Sequence, residues 1–306
     1  MNIQEWALIT FTILTQMSVG AFLVLGVVHF FVSRKAGEAE ADRMSDRVLV
    51  AIIVTLGLGM LASLFHLGNP LNAPKAVTNF ATSWLSREIL LGVIFAVIGL
   101  VYVALQWFKF GSAGLRNVVR WIAALVGVIL VYAQAHVYML STQPSWNTFF
   151  TPITFYTTTL LLGVLAVGAA LVVNYAYIQR KSPECADTQC ELLQGVIRWI
   201  AVASILLLGI ELVLIPIYLV NLSTGSPTAL KSLSLMAGTY NLAFILRLVL
   251  GFVGGGVLAV FLYQNAASAG KKKAVGYLTY GAFALVLIAE VLGRFMFYAT
   301  RQGISF

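Results

Sequence analysis

Charge is what this chain has least of. Of 306 residues, 19 are Lys or Arg and 11 are Asp or Glu, so charged residues make up 10% against 60% apolar, and the mean hydropathy is +0.93. A soluble domain carries roughly 25% charged residues, so that class is excluded and a membrane protein takes its place. Cysteine is nearly missing too: Cys185 and Cys190 stand alone in a polar stretch, which supports neither a disulfide framework nor a metal site. The three histidines, His29, His66 and His136, are too few for two bis-histidine haems. No basic residue precedes Trp6, and the first apolar run is too long for a signal-peptide core, so it is expected to be a retained helix.

The apolar residues that dominate fall into eight runs, near 6–32, 48–68, 86–107, 118–140, 152–178, 195–220, 240–263 and 275–299. A helix of about 20 residues crosses the hydrocarbon core. The expected fold is therefore an all-α polytopic membrane protein, one integral membrane domain over 1–306 built as an eight-helix bundle. The segment from Arg34 to Arg47 reads as a mixed-charge loop, and Gly251 with Gly255 as a small-residue spacing for close helix packing.

Orientation follows from the basic residues. The connections after runs 1, 3, 5 and 7, with their flanking turns, hold 13 of the 19 Lys and Arg, so those connections are expected in the cytoplasm and both termini outside. The tryptophans read as two interfacial belts, Trp6, Trp84 and Trp146 outside and Trp107, Trp121 and Trp199 inside. Topology thus explains the formal charge of +8. The partner it implies is the lipid bilayer, with no nucleic acid.

Six charged residues break the apolar runs: Arg87, Glu88, Glu211, Arg247, Glu290 and Arg294. Threaded through the membrane, all fall in or near the outer half. Each costs at least about 2.5–3.5 kcal/mol at the bilayer centre, so such groups pair, line a cavity or carry protons. Glu290 and Arg294 have the favourable i,i+4 order for a mutual pair; Arg247 and Glu211 read as a second pair or as parts of one network. Gln16 could hydrogen-bond a quinone carbonyl or another helix.

His66 ends the second run in His66-Leu67-Gly68-Asn69-Pro70, and Glu88 opens the third in Ser86-Arg87-Glu88-Ile89. An imidazole and a carboxylate at one depth suit quinol oxidation, which releases two protons with two electrons and needs an acceptor of tunable pKa for each. No metal is needed.

These residues carry a resemblance along the whole chain. Glu5-Trp6, Phe11-Thr12 and Gln16, then His66-Leu67-Gly68 with Pro70, Ser86 with Glu88-Ile89, Pro144 and Trp146, Thr151-Pro152, Ala289-Glu290, Gly293-Arg294 and Phe297-Tyr298 together resemble the membrane-anchor subunits of the dimethyl sulfoxide reductase family. The resemblance implies a complex in the bacterial inner membrane that serves anaerobic respiration. Its parts would be a molybdopterin catalytic subunit, a four-cluster iron–sulfur subunit and this anchor, which would oxidise menaquinol near the outer face and pass electrons to the iron–sulfur partner. His66 and Glu88 would be the quinol-site residues, with Ser86 and Arg87 as candidate pocket neighbours and no haem in this subunit. Two rival readings remain: an anchor with one haem b, held by His66 and His136, and a secondary transporter using the same charges to bind substrate or couple protons, a class whose ions often sit near the midplane where only Glu211 lies here.

Overall fold

In a computed structural model of the chain, residues 3–65, 75, 77–181, 186–266 and 272–304 are described. They contain nine helices and no strand: α1 (Ile3–Ala36), α2 (Glu38–Leu64), α3 (Trp84–Trp107), α4 (Ala113–His136), α5 (Phe150–Lys181), α6 (Ala186–Ser223), α7 (Pro227–Ala237), α8 (Asn241–Ala266) and α9 (Lys272–Ala299). All but α7 are long and apolar enough to cross a membrane. The expected all-helical bundle of eight spans is the observed one.

The boundaries differ where polar residues prolong a helix beyond its apolar run. Arg34 to Arg47 is not a loop. Only Gly37 interrupts it, with φ 88 and its N–H on Ser33 O at 2.9 Å, and that left-handed conformation is open to glycine at no steric cost. Glu38 and Glu40 then sit in the first turn of α2, where carboxylates favour the helix dipole, and Glu40 pairs with Arg43 at 3.3 Å. Likewise α6 starts nine residues before its apolar run because Gln189 is buried and binds Glu40 O and Oε2 at 3.1 and 2.5 Å. Ser112 accepts from Leu115 N and starts α4 at Ala113, ahead of the expected 118. Helix α7 was not foreseen; Ser226 caps it and Pro227 occupies its first turn, the favoured pair at a helix start.

Helices α1 and α5 form the centre, each with two thirds of its most apolar window buried. Their contact is closest at Gly20 and Gly163, where a Cβ on Gly20 would lie 1.8 Å from Thr159 O and one on Gly163 would lie 2.2 Å from Gly20 C. Backbone meets backbone there, the packing that small residues permit between membrane helices. The spacing picked out from sequence straddles the start of a π-helical stretch of α8, Phe252–Leu258, with Gly251 just before it and Gly255 within it. The tight approach falls at Gly254, where a Cβ would lie 2.9 Å from Leu285 Cβ; Cβ atoms on Gly251 and Gly255 would make ordinary contacts. Ser204 Oγ donates to Gly255 O at 3.2 Å and so satisfies a carbonyl in that irregular stretch.

Of the tryptophans expected in the two belts, Trp6, Trp107, Trp121 and Trp199 are exposed and Trp84 is half-buried. Trp146 alone of the six is buried among its neighbours. It stacks on Phe297 at 5.0 Å and donates its indole N–H to Phe297 O at 2.8 Å, because its polar edge finds a free helix-end carbonyl inside the bundle.

Candidate functional site

At the end of the bundle where α3 begins and α4 and α9 finish, buried polar side chains from four elements meet. Ser83 caps α3 by accepting from Ser86 N at 3.3 Å, and the first turn then turns Ser86 and Glu88 inward, both 4% exposed. Glu88 has no ion-pair partner among the described residues, and its Oε1 is buried without a hydrogen bond. Beside it lies Gln134 of α4, fully buried, whose Nε2 is also without a partner. Gln134 Oε1 accepts from Gln16 Nε2 at 2.8 Å, and Gln16 Oε1 accepts from Arg294 Nη2 at 2.7 Å. The hydroxyls of Tyr138 and Tyr298 bond each other at 2.8 Å next to this line.

The result is a buried line, Glu88, Gln134, Gln16, Arg294, that crosses α3, α4, α1 and α9. Its open ends are complementary. Glu88 and Gln134 interact side chain to side chain, but Glu88 Oε1 and Gln134 Nε2 do not reach hydrogen-bond geometry, and a hydroxyl, which both donates and accepts, suits the gap between them. Buried polar atoms left unpaired are uncommon and costly, about 1–3 kcal/mol each.

Two expectations are corrected here. Arg294 does not pair with Glu290: its guanidinium binds Gln16 and lies 3.8 Å over the Phe155 ring, while Glu290 Oε2 accepts from Thr158 Oγ1 at 2.6 Å. The i,i+4 spacing holds, but both side chains are buried and neighbouring helices offer each a partner. Arg87 does not face the pocket. It donates to Phe80 O and Ala81 O at 2.9 and 2.6 Å and lies over the Trp84 ring at 4.3 Å, so it closes the loop ahead of α3. Gln16 makes the interhelical bond that was one of its two readings.

Arg247 and Glu211 do form a pair, at 2.5 Å. With Glu290 and Arg294 they line a cavity bounded by α5, α6, α8 and α9. Gly293 makes room: a Cβ there would lie 2.7 Å from Arg247 Nε.

His66 falls outside the described residues, as does Cys185; Cys190 is a buried free thiol. His136 bonds Tyr132 O at 2.9 Å and packs on Trp84 with ring centroids 4.6 Å apart. Sequence reasoning missed Gln134, Tyr138 and Tyr298 as members of the site. Gln134 left a usable trace, the one amide in the apolar stretch from Trp121 to Ala135.

A second network was missed at the opposite end. His29 Nε2 meets Asp42 at 2.8 Å and its Nδ1 meets Arg120 Nη1 at 2.8 Å. Lys109 Nζ bonds both Asp42 and Asp46 at 2.7 Å. A guanidinium only donates, so Nδ1 must accept and the ring proton sits on Nε2, facing Asp42. That tautomer points no lone pair at the cluster of His29, Glu38 and Asp42, whose spacing otherwise suits a metal ion. The basic ends of the helices gather here, with Lys35 on Glu191 at 3.4 Å and Arg47 on Asn174 at 3.2 Å.

Residues 1–300 match the family described as DMSO reductase anchor subunit (DmsC). The protein is 32% identical over 173 residues to an anaerobic dimethyl sulfoxide reductase chain of Haemophilus influenzae, a match that covers 56% of this protein and 61% of the relative. It is 29% identical over 304 residues to the anaerobic dimethyl sulfoxide reductase chain YnfH of Escherichia coli, covering 98% and 96%. A shorter stretch of 104 residues, 34% of this protein and 32% of the relative, is 29% identical to a sulfite dehydrogenase subunit of Allochromatium vinosum.

Proposed function

This chain belongs to the DMSO reductase anchor subunit family, and from that premise we propose that it is the quinol-oxidising membrane anchor of a molybdenum-dependent reductase complex. Its partners in this reading are a molybdopterin catalytic subunit and a four-cluster iron–sulfur subunit docked on the outer face of the bacterial inner membrane, with both chain termini on that side. Menaquinol is the substrate. The partner clusters take the electrons one at a time; the anchor binds, orients and deprotonates.

The observation that carries the reading is the buried Glu88 and Gln134 facing each other with neither Glu88 Oε1 nor Gln134 Nε2 in full hydrogen-bond geometry. A quinol hydroxyl entering from the lipid donates to Glu88 Oε1 and accepts from Gln134 Nε2. Glu88, with no cation beside it among the described residues, takes the proton as the electrons leave. His66, at the end of the neighbouring span, serves the second hydroxyl. The line through Gln16 to Arg294 fixes the Gln134 amide so that its N–H, not its carbonyl, faces the substrate. Both protons leave outward, on the side where the electrons leave, so turnover moves no net charge across the membrane.

Steady-state kinetics of quinol-driven substrate reduction by the complex in membranes test this. Glu88→Gln keeps the hydrogen bond and loses the base, so kcat falls about 10²–10⁴-fold with KM little changed. Gln134→Leu removes a ground-state contact, so KM rises with kcat less affected. Native kinetics in both variants would refute the assignment.

A further inference from the structure

Across the bundle from Glu88, between the end of α1 and the start of α4, is a pocket whose charges do not balance. It is lined by Arg34, Arg116 and Arg120, and by one carboxylate, Glu38. Among the described residues none of the three arginines forms an ion pair. The nearby Asp42 and Asp46 share one lysine, Lys109, at 2.7 Å each, so four basic groups face three carboxylates and one positive charge is left over. His29, which also lines the pocket, is neutral in the tautomer that Arg120 imposes.

Three features make this more than a basic surface. Arg120 is 5% exposed, and its Nε is buried without a hydrogen-bond partner. The first turn of α4 lines the same pocket through Ala113 and Gly114. Ser112 Oγ already takes Leu115 N and Ser112 O takes Arg116 N, which leaves the N–H groups of Ala113 and Gly114 outside the helical ladder. A helix start with free N–H groups and guanidiniums that leave a positive charge over is a site for an anion, phosphate above all. Arg34 contributes a guanidinium bound by no carboxylate, held only over the Phe30 ring at 4.3 Å.

The position selects the source of that phosphate. The pocket lies where transmembrane helices end, at headgroup depth. Phe30 lines it and its neighbours Val27 and Phe31 are exposed at 44% and 65%, which offers acyl chains a surface directly below. Basic pockets between membrane helices recognise anionic headgroups. We infer that this pocket is a binding site for the phosphodiester of an anionic phospholipid, seated on the α4 N-terminus and held by Arg34, Arg116 and Arg120. The lipid would fasten α1 to α4 at the end opposite the quinol site, and the inference stands independently of the quinol reading.

The test uses the full-length chain in a neutral detergent, with dioleoylphosphatidylglycerol, dioleoylphosphatidylcholine and inorganic phosphate as probes, read by native mass spectrometry and thermal unfolding. One phosphatidylglycerol should stay bound and raise the Tm where phosphatidylcholine does not. Arg34→Gln and Arg116→Gln should each weaken retention roughly fivefold, while Lys231→Gln, on exposed α7, leaves it unchanged. Arg34→Gln removes no hydrogen bond of the fold, so its effect is not one of misfolding. Equal retention of the two lipids, or no change in both arginine variants, overturns the inference. Displacement of the lipid by inorganic phosphate at comparable concentration also overturns it and makes the pocket a soluble-anion site.

Discussion

Gly20→Ala adds one methyl group at the centre of the bundle, and the geometry fixes its effect. The new Cβ would stand 1.8 Å from Thr159 O, a backbone atom that cannot turn aside. Reaching even 3.0 Å requires α1 and α5 to separate by about 1.2 Å, since 3.0 minus 1.8 is 1.2. Overpacking of this kind costs about 1–3 kcal/mol, which outweighs the roughly 1 kcal/mol that alanine gains over glycine inside a helix. Gln16 lies one turn from Gly20 on α1. It bonds Gln134 at 2.8 Å and Arg294 at 2.7 Å, and a shift above 1 Å takes those bonds out of range. Gly20→Ala should therefore lower the thermal unfolding midpoint and also reduce quinol-driven turnover. Gly57→Ala and Gly209→Ala are the controls, because nothing lies within 4 Å of a Cβ at either; both should leave the midpoint level or raise it. A Gly20→Ala protein as stable and active as the controls would refute the packing argument.

Other outcomes follow from the same contacts. Arg247→Met should destabilise the protein by about 3–5 kcal/mol by stranding Glu211 in the bundle, and Arg247→Met with Glu211→Leu should recover most of that loss in a double-mutant cycle. Arg87→Ala should keep full quinol-driven activity, since its guanidinium serves only the loop carbonyls of Phe80 and Ala81 and the Trp84 ring; a large loss would return Arg87 to the pocket. Purified protein should show no Soret band; a band lost in His136→Ala would install the haem reading. In sealed proteoliposomes, turnover should generate no charge movement.

Much of the fold was legible because hydrocarbon demands long apolar helices, and eight runs gave eight spans. The misread places are those where the reason lies in a partner far along the chain. Helix α2 begins ten residues before its apolar run because first-turn carboxylates and an ion pair carry it. Arg294 left Glu290 because Gln16 and Phe155, distant in sequence, offer a dry guanidinium more than its own helix does. Glu88 was visible as a charge out of place, and its lack of a cation among the described residues could be seen only with the helices assembled. Gln134 carries no charge, so a search for ionisable groups passed over it. Gly20 and Gly163 lie on separate spans, and no spacing within either one announces their contact.

Two carboxylates are equally buried in the bundle, Glu88 and Glu290, and the proposed chemistry needs Glu88 to be the one that meets quinol. Single-turnover reduction of the iron–sulfur clusters by lipid-embedded menaquinol separates them, in the native complex, Glu88→Gln and Glu290→Gln, with dithionite confirming that each variant holds its clusters. Glu88→Gln should lose at least about 100-fold in rate, and Glu290→Gln should stay within a few fold of native. A native rate in Glu88→Gln with loss in Glu290→Gln would reverse the assignment and move the site to the cavity of Glu211, Arg247 and Arg294.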